Sequence, residues 1–451
     1  MARHSMTRRG LFKGAVVTGA AAAAIGVLGG CSHDQTEPVG EPMVVDSGDA
    51  TSITDSYEQM EDRNIKEGST WTIPLGCVLH EAEGTWIPVT RTGASASPVV
   101  RGCAFSVKTG KLADVVPKPV TSSQTIIIYD VRCSDSVYAW VELDYLTHAW
   151  SFYASAFSDG ALTGSTTTLW QSDANYDPPL FACTGSSVIW EVMPATSGSK
   201  TTEHSFCYLW TVGSANAQAV VESPGRFATA PAVSAPDGTV TLAPRVRADE
   251  GVFYGITAYS LGDGLKTTVD QLVMPQTVRP FRAVRIGDKF CFSVEANYNS
   301  GGLFGNMGTY IGPSAGPFIT LAREPAAGVA GKDGLFVIKS TASYFVVDTT
   351  SSKYNILVAS NRCIDYGEFP ARVGTSDDFV TFATVKTADT GYPDSVTVRS
   401  FSMELADLKT EDEDSEDGTS ATDDGTNEGS STDAAEQDSA STDGEESTSN
   451  T

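Results

Sequence analysis

Arginine side chains concentrate in one part of an otherwise acidic chain. The 451 residues carry 30 Lys and Arg against 56 Asp and Glu, for a net charge of −26. Five arginines nevertheless fall close together: Arg226, Arg245, Arg247, Arg279 and Arg282. Guanidinium groups bind carboxylate or sulfate through forked hydrogen bonds, so these side chains are candidate anion ligands. The alternative is ion pairing with nearby acids on a solvated rim, which stabilises little.

Several carboxylates elsewhere in the chain could neutralise the charge of these arginines or bind cationic groups. The candidates are Glu142, Glu191, Glu295, Asp177 and Asp365. Two carboxyl groups about 5–9 Å apart are the machinery of glycoside hydrolysis. Glu142 and Glu295 are therefore the acid and base of an alternative hypothesis, an extracellular glycan-active hydrolase or lyase.

Histidine and cysteine give no catalytic or metal motif. After residue 31 only His33, His80, His148 and His204 remain, and no Ser–His–Asp set can be assigned. No CxxC occurs and no histidine stands at ligand spacing from a cysteine, so we predict neither a metal site nor a cofactor. Beyond Cys31 there are seven cysteines: Cys77, Cys103, Cys133, Cys183, Cys207, Cys291 and Cys363. We interpret most as small buried hydrophobes, with Cys77–Cys103 and Cys183–Cys207 as candidate disulfides.

The first 31 residues have the layout of an export signal. Four basic residues precede the weakly apolar run 14–30, and no acid occurs. The stretch Thr7–Lys13, with Arg8 and Arg9, resembles the twin-arginine signal, and Leu28–Cys31 resembles a bacterial lipobox. The resemblance implies export of a folded protein and diacylation of Cys31, hence palmitate-type anchoring to the outer face of the cell membrane. A retained membrane helix is the alternative, although 17 residues are short for a span.

Polar segments flank the centre of the chain. Residues 32–67 read as a flexible spacer, and residues 410–451 hold 15 acids and no Lys or Arg. Residues 410–451 lack aromatic and branched aliphatic residues, so we predict that the C-terminal tail, residues 407–451, is disordered. The acidic balance argues against nucleic acid as a partner, because phosphates would be repelled.

A strand–turn–strand unit repeats through residues 68–406. The first apolar residue after each turn marks it: Trp86, Val137, Val188, Val240, Phe290, Phe336 and Phe379. The spacing is 43–52 residues, and each unit has room for two more strands joined by turns such as Ser158-Asp159-Gly160. This is the signature of an all-β protein, a β-propeller of seven four-stranded blades, with six or eight as alternatives.

The units resemble those of TolB-type and quinoprotein propellers. The quinoprotein tryptophan motif is not repeated regularly here, so the resemblance implies architecture and no quinone cofactor. The seventh unit lacks a fourth strand, and we predict that Pro42–Asp46 or Ser69–Pro74 supplies it, since an open ring would expose a sheet edge.

The repeat gathers the candidate residues at one face. Inner strands begin, and second strands end, at the same rim of a propeller, so the arginines and carboxylates above should line one mouth of the channel. We therefore predict a mainly non-catalytic binding or scaffold module for an envelope protein, small ligand or glycan, because a fold alone fixes no activity.

Overall fold

The computed structural model describes residues 50–93, 100–248, 251–275, 278–294, 308–322, 328–340, 342–360 and 367–408. Residues 50–408 belong to one compact unit of the chain. Runs of β-branched and aromatic residues broken by Gly, Asp and Ser turns form almost only strands, as such runs favour. The exceptions are a short helix α1 (Ile53–Ser56) and a 3-10 turn (Ala235–Asp237). No helix in these ranges is long and apolar enough to cross a membrane.

The strands of the first four blades follow one another along the chain. Blade 1 contains β4 (Cys77–Leu79), β5 (Trp86–Thr92), β6 (Val100–Ser106) and β7 (Leu112–Val116). Blade 2 contains β8 (Ile126–Cys133), β9 (Val137–Asp144), β10 (Trp150–Ser158), β11 (Ala161–Leu162) and β12 (Thr167–Ser172). Blade 3 contains β13 (Leu180–Thr184), β14 (Ser187–Val192), β15 (Ser205–Thr211) and β16 (Gln218–Ser223). Blade 4 contains β17 (Ala232–Ser234), β18 (Thr239–Leu242), β19 (Arg245–Ala248), β20 (Gly251–Ser260) and β21 (Thr268–Val273).

The last three blades each take a strand from the N-terminal part of the domain. Blade 5 contains β22 (Pro280–Ile286), β23 (Lys289–Val294), β24 (Gly308–Gly312), β25 (Phe318–Ala322) and β1 (Ala50–Ser52). Blade 6 contains β26 (Val329–Lys332), β27 (Leu335–Lys339), β28 (Ser343–Asp348), β29 (Lys353–Val358), β31 (Gly374–Thr375) and β2 (Glu58–Gln59). Blade 7 contains β30 (Phe369–Pro370), β32 (Asp378–Lys386), β33 (Pro393–Asp407) and β3 (Arg63–Pro74).

These seven sheets correspond to the seven predicted repeats. Each predicted marker residue lies at or next to the start of the second strand of its blade, from Trp86 in β5 to Phe379 in β32. The predicted closure is also confirmed, because β3 pairs antiparallel with β33 from Pro74 to Arg63. Of the two candidate closing segments, Ser69–Pro74 is therefore the one used, and Pro42–Asp46 lies outside the described residues.

The N-terminal segment does more than close the ring. β1 adds parallel to β25, and β2 adds parallel to β29, before β3 completes blade 7. The segment from Ala50 to Pro74 therefore covers the outer edges of three successive blades. Covering an edge removes unpaired backbone groups that would otherwise template aggregation.

The core consists of seven apolar clusters, one between each pair of neighbouring blades within the described ranges. The cluster between blades 7 and 1 includes Val398 and Phe105, so the ring is closed by packing as well as by pairing. Trp140, Trp150, Trp190 and Trp210 lie in these clusters, between neighbouring blades.

The cysteines of the described residues are buried free thiols: Cys77, Cys103, Cys133, Cys183, Cys207 and Cys291. The two candidate disulfides are therefore not formed. Cys183 packs between blades 2 and 3 and Cys207 between blades 3 and 4, on opposite faces of their sheet. Cys77 and Cys103 share a cluster, but the Cys103 thiol donates to Asp114 Oδ1 at 3.2 Å instead. Cys363 lies outside the described residues.

Candidate functional site

The innermost strands carry exposed apolar side chains. The first strands of neighbouring blades contact one another along β8, β13, β17, β22 and β26, so they surround the channel. Five side chains on inner strands are 36–51% exposed: Val78, Tyr129, Leu180, Phe281 and Phe369. An innermost strand faces solvent only through the channel and its mouths. We call these five residues the apolar collar.

The collar lies at one level of the channel. Leu180 pairs with Glu191 and Phe369 with Phe382, each three residues after the marker of its second strand. Val78 pairs with Thr90, four residues after its marker. Since inner strands begin at this level and second strands end there, the collar lies toward the rim where the sequence predicted a site.

Two collar aromatics occupy β-bulges. The register of β8 shifts between Ile128 and Asp130, and Tyr129 is the extra residue. The register of β22 shifts between Pro280 and Arg282, and Phe281 is the extra residue. A bulge re-aims a side chain away from the pleat, so these aromatic rings leave the packed faces of their blades.

The opposite end of the channel is crossed by two chain segments, which we call the floor: His80–Glu83 from blade 1 and Ala371–Thr375 from blade 7. Glu83 accepts a hydrogen bond from the Gly185 backbone N–H of blade 3 at 2.9 Å. Thr375 donates from Oγ1 to Asp237 Oδ2 of blade 4 at 2.9 Å. Because these contacts join blades that are not neighbours, the segments pass across the channel.

Arg372 holds the two floor segments together. Its side chain is 1% exposed, and its Nη1 donates to the Ala82 carbonyl at 3.3 Å. Its guanidinium also meets both carboxylate oxygens of Asp378, at 2.9 and 3.0 Å. A buried charge is retained only when it is paired in this way, so Arg372 serves structure rather than ligand binding.

A cavity that is partly open to solvent is lined in part by Glu81 and Val373 of the floor. Its walls come from blades 4, 5 and 6 and from the floor, and they are mostly apolar. Arg282 and Glu81 supply charge, with Nη1 and Oε2 3.3 Å apart. The residues entering blades 4 and 6 are small, Ala230 and Gly328, and both line the cavity.

Arg226 and Asp177, two predicted site residues, are brought together. Arg226 Nη2 lies 2.7 Å from Asp177 Oδ2, and Nη1 donates to the Pro194 carbonyl. This is the ion-paired alternative for Arg226. Arg245 makes other contacts: its guanidinium lies 4.7 Å from the Tyr254 ring, and its Nη2 donates to Tyr254 Oη at 3.2 Å.

The other predicted residues are distributed differently. Arg279 is exposed at the entry to β22, and Arg247 is part of β19. Glu295 and Asp365 lie outside the described residues, as do Arg8, Arg9 and Cys31, so for these the sequence predictions stand as predictions.

Two of the predicted glutamates, Glu142 and Glu191, lie among the described residues. Both are buried, but they differ in their hydrogen bonding. Glu142, 2% exposed, accepts hydrogen bonds from the Val120 N–H at 2.6 Å and from Trp140 Nε1 at 3.1 Å. Glu191 is fully buried, and neither carboxyl oxygen has a hydrogen-bond partner among the described residues. Burial raises the pKa of Glu191 well above its ordinary value, and nearby Arg226 opposes this only in part.

His80 forms the described arrangement most similar to a nucleophile and base. Its Nε2 lies 2.9 Å from Thr90 Oγ1, and its Nδ1 lies 3.7 Å from Asp130 Oδ1. Burial, followed by the nearby Arg132 charge, lowers the pKa of His80 to about 4. So weak a base does not activate a hydroxyl at neutral pH, and we assign the contact to structure.

Sequence reasoning missed the floor and most of the collar. One signal for the floor was present: six residues separate β4 from β5 and seven separate β30 from β32, against two between β13 and β14. Bulges carry no comparable signal, since Tyr129 and Phe281 lie in ordinary β-type sequence.

The fold is that of known β-propellers. The chain is similar to the β-propeller domain of the trilobed protease from Pyrococcus furiosus, with 10% identity over 64% of this chain and 85% of that one, and a TM-score of 0.41. It is also similar to TolB from Acinetobacter baumannii, with 13% identity over 62% and 64% and a TM-score of 0.36.

Structures of peptidases match as well. Structures of two prolyl endopeptidases give 11% identity and a TM-score of 0.44, over 76% of this chain and 50% of theirs. The chain thus spans half the length of those enzymes. No protein-family model and no curated protein matches its sequence.

Proposed function

We propose that this chain is an exported, lipid-anchored β-propeller that binds a small ligand by an apolar group at the open mouth of its channel. The apolar collar carries this proposal. Soluble proteins bury most large apolar side chains, and a contiguous exposed set commonly marks a binding surface. Here five such side chains lie at one level, and the floor closes the opposite end of the channel.

The floor favours a small ligand over a threaded polypeptide. A segment of another protein could enter the collar but could not pass beyond Arg372, which is buried across the channel with its Asp378 pair. Ligand sites are typically concave, mostly apolar and provided with a few polar groups. The cavity lined by Arg282 and Glu81 fits that description.

The anchoring part of the proposal rests on the sequence alone. A Cys31→Ala variant should lose metabolic labelling with palmitate and should be released from membranes, whereas an Arg8→Lys/Arg9→Lys variant should fail to be exported. Persistent labelling of the Cys31→Ala variant would contradict the anchor.

The binding part is tested with a panel of apolar amino acids, short peptides, fatty acids and oligosaccharides, scored by the shift in melting temperature. A ligand that binds only the folded state raises this temperature by mass action. We expect an apolar class to stabilise the wild type and not a Tyr129→Ser/Phe281→Ser variant. Tyr392→Ser, which alters a 74% exposed aromatic outside the collar, is the control. Stabilisation by oligosaccharides alone, unaffected by the collar changes, would contradict the proposal and favour the glycan-active alternative.

A further inference from the structure

The cavity lined by Arg282 and Glu81 contains a polar group without a hydrogen-bond partner among the described residues. Ser293 is 4% exposed and lines the cavity, and its Oγ has no hydrogen-bond partner among the described residues. Buried polar atoms are normally paired, so an unpaired hydroxyl at a cavity wall is typical of a group that meets a ligand or water. Arg282, next to it across the β22–β23 ladder, pairs with Ser293 in register.

Opposite charges meet at the same wall. Arg282 is 41% exposed and Glu81 22% exposed, and the contact between them uses only one guanidinium nitrogen, Nη1. A partly exposed pair of this length is weak, so a ligand could replace it at little cost. A simple anion would leave Glu81 unpaired, and a simple cation would leave Arg282 unpaired. A ligand that carries both charges satisfies both.

The remaining walls of the cavity are apolar. Val284, Phe292, Ile338 and Val373 contribute to them. Gly328 keeps the charged end open: a Cβ there would lie 2.3 Å from Glu81 Oε1. The space is thus polar at one end and apolar elsewhere, as small-molecule sites commonly are.

We propose that this cavity binds a free α-amino acid with an apolar side chain. The ligand carboxylate would meet Arg282 and the Ser293 hydroxyl, its ammonium group would meet Glu81, and its side chain would contact the apolar wall or the collar. This inference rests on the proposed function, a small-ligand site at the channel, and specifies the chemistry of that ligand.

Calorimetric titration of the purified protein with L-leucine, L-phenylalanine and L-methionine tests the amino-acid assignment. We expect at least one to bind, and its N-acetyl and amide derivatives, each lacking one charge, to bind at least tenfold more weakly. Arg282→Met and Glu81→Gln should each weaken binding at least tenfold. Ser293→Ala should weaken it less and leave the melting temperature unchanged, because its Oγ has no partner to lose.

The matched control is Arg101→Met. Arg101 and Asp114 form an exposed ion pair at 3.2 Å, close to the Arg282–Glu81 separation, on the outer strands of blade 1. This variant should bind like the wild type. Equal binding of the uncharged derivatives, or no binding of amino acids by a protein that still binds another apolar class from the panel, would overturn the amino-acid assignment while the proposed function stands. No binding by any apolar class would contradict both.

Discussion

At the scale of single residues, the two buried glutamates show how one residue type takes different roles. Glu142 has N–H donors from Val120 and Trp140 around its carboxylate. Glu191 lies in the apolar interface between blades 3 and 4, and its carboxylate has no hydrogen-bond partner among the described residues. Both were predicted as rim residues, and the sequence around them, apolar on both sides, gives no sign of this difference.

Substitution by glutamine should change the stability of the protein in opposite directions at the two positions. Glu142→Gln loses acceptor capacity for buried N–H groups and should cost about 1–3 kcal/mol of stability. Glu191→Gln should instead stabilise the protein at pH 8. The raised pKa of folded Glu191 means that the unfolded chain releases its proton first, so wild-type stability falls as pH rises above about 4.3, the ordinary glutamate value.

Urea unfolding of both variants at pH 4.5 and pH 8 measures this. The advantage of Glu191→Gln should shrink toward pH 4.5, whereas the loss in Glu142→Gln should persist. A Glu191→Gln variant that is less stable than wild type at pH 8 would show that the carboxylate has a stabilising partner.

At the scale of elements, the floor depends on a close approach at Gly374. This residue has φ of +80°, and a Cβ would lie 1.8 Å from the Val233 carbonyl oxygen of blade 4. Gly391 has φ of +68° with nothing within 4 Å of its Cβ position. Alanine substitutions at these two glycines therefore separate the cost of a steric clash from the cost of a left-handed backbone conformation.

Gly391→Ala should cost about 1–2 kcal/mol, the penalty for an L-residue in the left-handed region. Gly374→Ala should cost clearly more, since the floor segment must also move away from blade 4. Urea midpoints of the two variants provide the comparison. Equal losses would show that the floor does not pack against Val233.

The N-terminal strands β1, β2 and β3 should contribute unequally to folding. Deleting residues 38–62 removes β1 and β2, which are short additions to finished blades, so the protein should fold with a lower melting temperature. Deleting residues 38–74 also removes β3, the twelve-residue outer strand of blade 7, and should abolish soluble folding. Thermal melting of the two purified proteins tests this, and an unchanged melting temperature after the longer deletion would contradict closure by β3.

At the scale of the whole molecule, the ring was predictable and its interior was not. Repeat length, turn chemistry and a missing fourth strand are local features of sequence. They predicted seven blades, with six or eight as alternatives, and closure by either Pro42–Asp46 or Ser69–Pro74. The Thr375–Asp237 and Glu83–Gly185 contacts join blades several repeats apart. Such contacts depend on where long turns end inside the channel, which no local pattern specifies.

The candidate site was likewise only partly predictable, because much of it depends on features that no local sequence pattern specifies. Counting along repeats predicted only that the candidate residues share one face, and within that set Arg226 and Asp177, each in a segment that enters an inner strand, form an ion pair. It could not find Tyr129 and Phe281 as exposed groups, since their exposure comes from a one-residue shift of register. The arginines were conspicuous by composition, whereas the collar consists of residue types that strands ordinarily bury.

The central claim is that the collar binds the ligand. The most direct test is calorimetric titration of the panel's tightest apolar ligand into wild type, Tyr129→Ser, Phe281→Ser and the Tyr392→Ser control. We predict that each collar variant binds at least tenfold more weakly while its melting temperature without ligand stays near that of wild type, because both side chains are half exposed. Equal affinity of the wild type and both collar variants would contradict the account.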